Sequence, residues 1–279
     1  MPVPTKEDLL NRAAEFSSKW NFPNCVAAVD GKHVRIFCPG KSGSLFYNYK
    51  DFFSIVLLAF VDANYKFIMV DIGSYGKEGE SGILAKSNLA QLINDTKFYP
   101  PPRMLPNSDT EVPFIIVGDE AFKLSKHNIV GVHTSMHVMK PFPRNIALLD
   151  VKKAVFNYRL SRARRVSENA FALLSQVFRI FYLPISVKEE VTDDLIMTAC
   201  CIHNMLRDSF LEYNKLPPRD ANLHDVPTKN IIPIRATGGF ANVEGFHVRE
   251  VFTRYFSSEE GSLSWQEKRV NQTDTSHNT

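Results

Sequence analysis

The sequence predicts a single α/β domain. Three observations predict it. β-rich runs stand early in the chain, at residues 25–37, 54–61 and 65–70. A helical segment and a further apolar run, Phe114-Ile115-Ile116-Val117, follow them. The clearest helical pattern of the chain, residues 155–178, comes next.

The elements read as follows. Residues 8–20 place Leu9, Leu10, Ala13, Ala14 and Phe16 at helical spacing. Phe22-Pro23-Asn24 breaks that helix, and an extended run begins at Cys25. Gly31 permits a bend after Asp30. Residues 38–50 read as a polar loop. The runs 54–61 and 65–70 flank Asp62-Ala63-Asn64, which marks a hairpin. A Gly-rich loop, residues 73–82, leads to a helix with Ile83, Leu84, Leu89, Leu92 and Ile93 inward. The strand 114–117 ends at Asp119. In residues 155–178, Phe156, Leu160, Ala163, Val166, Ala170, Phe171, Leu174, Val177 and Phe178 share one helical face. Glu168 lies opposite that face, in a polar stripe with Asn157, Ser161, Arg164 and Arg165. Residues 179–187 read as extended, and 191–211 as a second amphipathic helix. After Leu216-Pro217-Pro218 the chain turns loop-like, and residues 257–279 read as a polar, disordered end. Strand, two-strand hairpin, helix, strand and helices is the order of an RNase H-like core, a mixed sheet with flanking helices. The expected organisation is a linker helix at 1–20, the core domain at 21–215 and a C-terminal extension at 216–279.

Composition bounds the function. The 279 residues are 44% hydrophobic with a net charge of +3 and a pI near 8.6, which tolerates a nucleic-acid partner without demanding one. The charge is uneven: residues 152–165 carry six Lys or Arg and no acid. The four cysteines form no CxxC pair, so a reducing compartment is expected. Cys200 and Cys201 beside His203 suggest buried thiols and a hydrogen-bonded histidine rather than a metal site. No signal peptide is visible, and the longest apolar run is too short to span a bilayer. A soluble intracellular protein, without a membrane partner, is expected.

The chemistry lies in three carboxylates. The apolar runs 26–29 and 113–117 each end in an Asp, Asp30 and Asp119, and Glu168 rides the long helix. A buried strand gains nothing from a terminal carboxylate unless a positive charge meets it. Two strand-end Asp and a helical Glu can hold a divalent ion with oxygen ligands. Two such ions can activate an attacking water and stabilise a leaving oxygen in phosphodiester cleavage. Each residue also has a plain structural use: Asp30 as a turn cap, Asp119 as a helix cap, Glu168 as a partner of Arg164. The three together favour metal.

Five strings carry a resemblance. They are Val29-Asp30-Gly31-Lys32-His33-Val34, Ser42-Gly43-Ser44-Leu45-Phe46-Tyr47-Asn48-Tyr49-Lys50, Val117-Gly118-Asp119-Glu120-Ala121-Phe122, Phe156-Asn157-Tyr158-Arg159-Leu160-Ser161-Arg162-Ala163-Arg164-Arg165 with Glu168, and His203-Asn204-Met205-Leu206. In this order they resemble the DDE nuclease domain of PIF/Harbinger-type transposases and their domesticated relatives, over residues 21–208. The resemblance implies an RNase H-like fold, Mg²⁺ or Mn²⁺ as cofactor, DNA strand cleavage and a nuclear location, with cytoplasm also allowed. Its triad falls on Asp30, Asp119 and Glu168. An additional metal-associated Asp of the family aligns with Glu80, one methylene longer. Residues 126–135 look inserted. The family's helix-turn-helix finds no room before residue 21, so target choice falls to a separate DNA-binding partner protein, or the chain is a fragment. Lys152, Lys153, Arg159, Arg162 and Arg165 are expected to contact DNA phosphates. The other reading is a domesticated nuclear DNA- or protein-binding protein with weak or lost catalysis.

Overall fold

Eleven residues, Cys25–Arg35, form the central strand β1, and all but the last are buried. A strand covered on both faces loses polar alternation, so residues 25–29 read as an unbroken apolar run. The computed structural model describes residues 1–40, 42, 44–76, 83–84, 86–95, 97–120, 138–213, 230–234 and 243–275. Before β1 comes α1 (Lys6–Trp20), opened by a capping box between Thr5 and Asp8 and closed by Asn21 in the left-handed region at φ 57°. Leu9, Ala13 and Phe16 of α1 are buried against the sheet. Residues 6–20 are thus part of the core, not a linker.

The strands β2 (Ser54–Val61) and β3 (Phe67–Tyr75) form the expected hairpin. After α2 (Asn88–Asn94) come β4 (Arg103–Met104), β5 (Glu111–Val112), β6 (Ile115–Val117) and β7 (Val138–Met139). A short α3 (Arg144–Ala147) precedes the long helix α4 (Val151–Val177). The sheet runs β3-β2-β1-β6-β7, with β2 antiparallel and β6 parallel to β1. This is a mixed sheet with flanking helices.

Two apolar layers hold it. On one face Ala28, Val34, Leu57, Ala59 and Val117 meet Phe156, Leu160, Ala163, Ala170, Phe171 and Leu174 of α4. On the other, Val29, Val56, Leu58, Phe60 and Ile116 meet Leu9, Ala13, Ile83, Leu84 and Ile93. The helix starts four residues earlier than its apolar pattern because Asp150 caps it, accepting from the Lys152 N–H at 3.0 Å.

Three expectations are corrected. No bend follows Asp30: β1 continues through Gly31, which pairs with Leu58. Residues 179–187 are not simply extended: Arg179–Tyr182 form a 3₁₀ turn, and Ile185 then bridges to Ile36. The described C-terminal residues, 230–234 and 243–275, are neither loop nor tail. β8 (Ile231–Pro233) pairs with β1, and, after α5 (Glu189–Glu212), α6 (Val243–Phe256) and α7 (Gln266–Thr275) pack on α4. Phe252 and Phe256 stack among Phe22 and Phe156, and Gln266 and Val270 are buried. Aromatic area of this kind contributes far more than the polar residues around it disclose.

Two buried histidines set an acid limit. The His33 ring is fully buried, its Nδ1 3.0 Å from Ser54 Oγ, and burial, with Lys50 nearby, pushes its pKa down to about 4. His203 donates from Nε2 to the Tyr65 carbonyl at 2.8 Å, and burial lowers its pKa to about 4 as well. Cys200 beside it is buried and Cys201 half-buried. Both histidines are neutral in the fold and would bind protons sooner when unfolded, near the ordinary value of about 6.5. Their contribution is therefore present above that value and is lost as pH falls toward 4. Urea midpoints should drop steeply between pH 7 and 5. Replacing His203 by Gln should flatten that slope, and an unchanged slope in both single His→Gln variants would refute the assignment.

Candidate active site

Asp30 sits in the middle of β1, not at a strand end, yet it occupies a gap. Along one edge, β1 pairs with β6 up to Ala28↔Val117. Further along that edge it pairs with β8 at Lys32, His33 and Val34. Between those contacts lie Val29, Asp30 and Gly31. The Gly31 N–H donates to Asp30 Oδ1 at 2.9 Å. The carboxylate thus supplies the acceptor that a neighbouring strand would otherwise provide.

Asp119 follows the end of β6 by two residues, past the pair Ala28↔Val117 that closes the β1–β6 contact. Side chains two residues apart share a face. Ala28 belongs to the layer under α4, so Asp30, two residues further along β1, belongs to that side too. Asp119 is half-buried.

Lys32 is the unforeseen member. Its Nζ lies 2.7 Å from Asp30 Oδ2 and 5.5 Å from the centre of the Phe171 ring on α4. Both residues are buried, Asp30 at 3% exposure and Lys32 at 8%. Asp30 Oδ2 has no well-aligned hydrogen bond, so the Lys32 ammonium is its described partner. The sequence held one signal for this: Lys32 follows Asp30 by two, which on a strand means the same face.

Glu168 stands one turn before Phe171, about 60° round the helix from it at 3.6 residues per turn. It therefore borders the buried stripe instead of opposing it. The side chain is exposed, and Arg164 Nη2 meets its Oε1 at 2.9 Å. An exposed pair four residues apart is worth only about 0.3–0.5 kcal/mol, so this contact is easily exchanged. Among the described residues no three His, Cys, Asp or Glu side chains converge as a metal site. Asp30 is engaged by Lys32 and Glu168 by Arg164, and Asp119 lies two residues past the end of β6. Glu80 and the stretch 126–135 lie outside the described residues.

The oxygen donors nevertheless suit a hard cation. A buried carboxylate oxygen whose partner is an ammonium is a place where positive charge is already stabilised.

The basic block divides into inner and outer residues. Arg159 is 2% exposed and faces inward. It donates to the carbonyls of Asn21 and Gly261 and to Gln266 Oε1, and lies 4.1 Å over the Phe256 ring. Burial lowers its pKa to about 10, so it remains charged at neutral pH. The expectation that Arg159 touches DNA is corrected. Its place three after Phe156 and four before Ala163 puts it on the buried stripe, a signal its charge obscured. Arg162 stacks 4.7 Å over Trp265. Lys153 pairs with Asp150 at 3.4 Å. Lys152 and Arg165 are exposed.

Comparison with known proteins adds the following. A family model described as DDE superfamily endonuclease matches residues 29–204, more than half of the chain. The chain is 24% identical over 208 residues to "Protein ALP1-like" of Arabidopsis thaliana, covering 74% of this chain and 48% of that protein. It thus spans about half the length of that relative. No solved structure matches. No helix among the described residues is long and apolar enough to cross a membrane.

Proposed function

The chain belongs to the DDE superfamily endonucleases, and from that membership we propose that it is a divalent-metal-dependent DNA endonuclease of the PIF/Harbinger type, acting in the nucleus. One observation supports the reading: Asp30 lies at a gap in the sheet edge under α4, and Asp119 follows by two residues the end of β6, the strand paired with β1. Asp30 and Asp119 would hold Mg²⁺ or Mn²⁺, with Glu168, which Arg164 engages in this structure, and Glu80 as further ligands. When bound, the metal activates the attacking water and stabilises the leaving oxygen. β1 fixes the Asp30 carboxylate, so that little reorganisation of it is needed at the moment of reaction. The α4 aromatic layer excludes water from the inner side of Asp30. Lys152, Arg162 and Arg165, with Lys153, supply sequence-independent phosphate contacts.

A second reading has its own support. The Arg164–Glu168 pair and the lack of three converging carboxylates among the described residues suit a domesticated protein that binds DNA or protein without efficient cleavage. Plasmid nicking separates the two. Wild type with Mg²⁺ or Mn²⁺ should nick supercoiled DNA, and Asp119→Asn should lose that activity by at least about a hundredfold, the scale for removing a principal transition-state group. Nicking that survives Asp119→Asn, or absent nicking in a wild type that binds both metal and duplex, would sink the nuclease reading and leave the second.

A further inference from the structure

We propose that Lys32 is a resident cation that neutralises Asp30 in the metal-free protein and competes with the divalent ion for its carboxylate. The inference rests on the metal reading above and adds a regulatory contact to it.

The argument begins with geometry. Lys32 follows Asp30 by two on β1, so the two side chains emerge on one face. The Nζ–Oδ2 distance is 2.7 Å, and both groups are buried. A buried carboxylate without a counter-charge is costly. A protein that must keep this site folded before metal arrives needs a positive charge there. Lys32 provides it, and Phe171 holds the ammonium from the helix side at 5.5 Å.

The ion pair also excludes metal. An Mg²⁺ ion on Asp30 would sit about 2.1 Å from the carboxylate oxygen. The ammonium occupies the same approach, and two cations that close repel. Lys32 must therefore withdraw when metal enters, and a lysine can do so because its four-carbon stem rotates while the stem stays buried. Asp30 thus exchanges one cation for another. Metal affinity is set partly by the strength of the contact it breaks.

The test uses the full chain with Mn²⁺ and Mg²⁺ alone, without DNA. Calorimetric titration of Lys32→Gln should give Mn²⁺ binding about tenfold tighter than wild type, or about 1.4 kcal/mol. Its melting temperature without metal should be lower, and its rise on adding Mn²⁺ larger. Should that variant fold poorly, the wild type answers by itself. Reductive methylation of lysines, read by mass spectrometry, should label Lys32 slowly without metal and several-fold faster at saturating Mg²⁺. Equal Mn²⁺ affinity in wild type and Lys32→Gln, with binding abolished in Asp30→Asn, would overturn the competition while leaving the metal site standing. Metal-insensitive labelling of Lys32 in a protein that demonstrably binds Mg²⁺ would do the same. No metal binding in wild type or Lys32→Gln would overturn both.

Discussion

Replacing Arg159 by alanine should destabilise the fold by about 3–4 kcal/mol, among the largest effects of any single basic substitution in the chain. The guanidinium ties three segments that are far apart in sequence: Asn21 after α1, α4 itself, and Gly261 with Gln266 before and in α7. Truncation leaves the Asn21 and Gly261 carbonyls and Gln266 Oε1 short of a donor. Each buried polar group so abandoned costs roughly 1–3 kcal/mol. The stacking over Phe256 adds about 0.5–2 kcal/mol, and the terms overlap, so their full sum is not expected. Urea denaturation followed by circular dichroism would measure the loss. The contrast is Arg165→Ala. Arg165 is exposed, and its removal should change stability by no more than about 0.5 kcal/mol. It should instead reduce the salt slope of duplex binding by about 1. If Arg159→Ala keeps its stability and loses DNA affinity, the inward assignment of Arg159 is wrong.

That contrast shows where the sequence was legible. The order of strands and helices, the hairpin at Asp62-Ala63-Asn64 and the two long helices follow from periodicity and turn residues, which act locally. Arg159 was misread because charge outweighed position: its spacing from Phe156 and Ala163 placed it in the stripe, and only distant carbonyls make that tolerable. Asp30 was taken for a strand end because Asp-Gly after an apolar run is a turn signal. The strand continues because β2 pairs along its whole second half and Lys32 neutralises the carboxylate. Neither partner is visible from residues 26–31. The C-terminal helices were missed for a similar reason. Phe252, Phe256 and Val270 find partners in Phe22, Phe156 and α4, over two hundred and about one hundred residues away in the chain; the polar run 257–279 concealed α7, whereas Val248, Val251, Phe252, Tyr255 and Phe256 of α6 do stand at helical spacing. Asp119 and Asp30 were legible as types. The pairing of β1 with β6, which ends two residues before Asp119, was not, since parallel register depends on a crossover whose geometry sequence does not state.

Asp30→Asn should separate the structural from the chemical role of the site. Asparagine keeps the shape, and its Oδ1 can still accept from the Gly31 N–H. What disappears is the negative charge facing Lys32. A buried ammonium deprived of its partner costs about 3–5 kcal/mol in a closed interior. Lys32 retains some exposure and can swing outward, so a loss of roughly 2–3 kcal/mol is expected. The metal-dependent rise in melting temperature should vanish together with nicking. The informative partner is the double variant Asp30→Asn with Lys32→Met. Removing both charges leaves no uncompensated group, and replacing a buried ion pair with neutral residues is often neutral or stabilising. The double variant should therefore regain most of the stability lost by Asp30→Asn, giving a coupling of about 2 kcal/mol between two residues in direct contact. It should remain unable to bind Mn²⁺ or to nick DNA. Stability and chemistry would then part at a single carboxylate. Additive losses in the double variant would mean that Lys32 and Asp30 do not neutralise one another, and recovery of Mn²⁺ binding in it would mean that Asp30 is not a ligand.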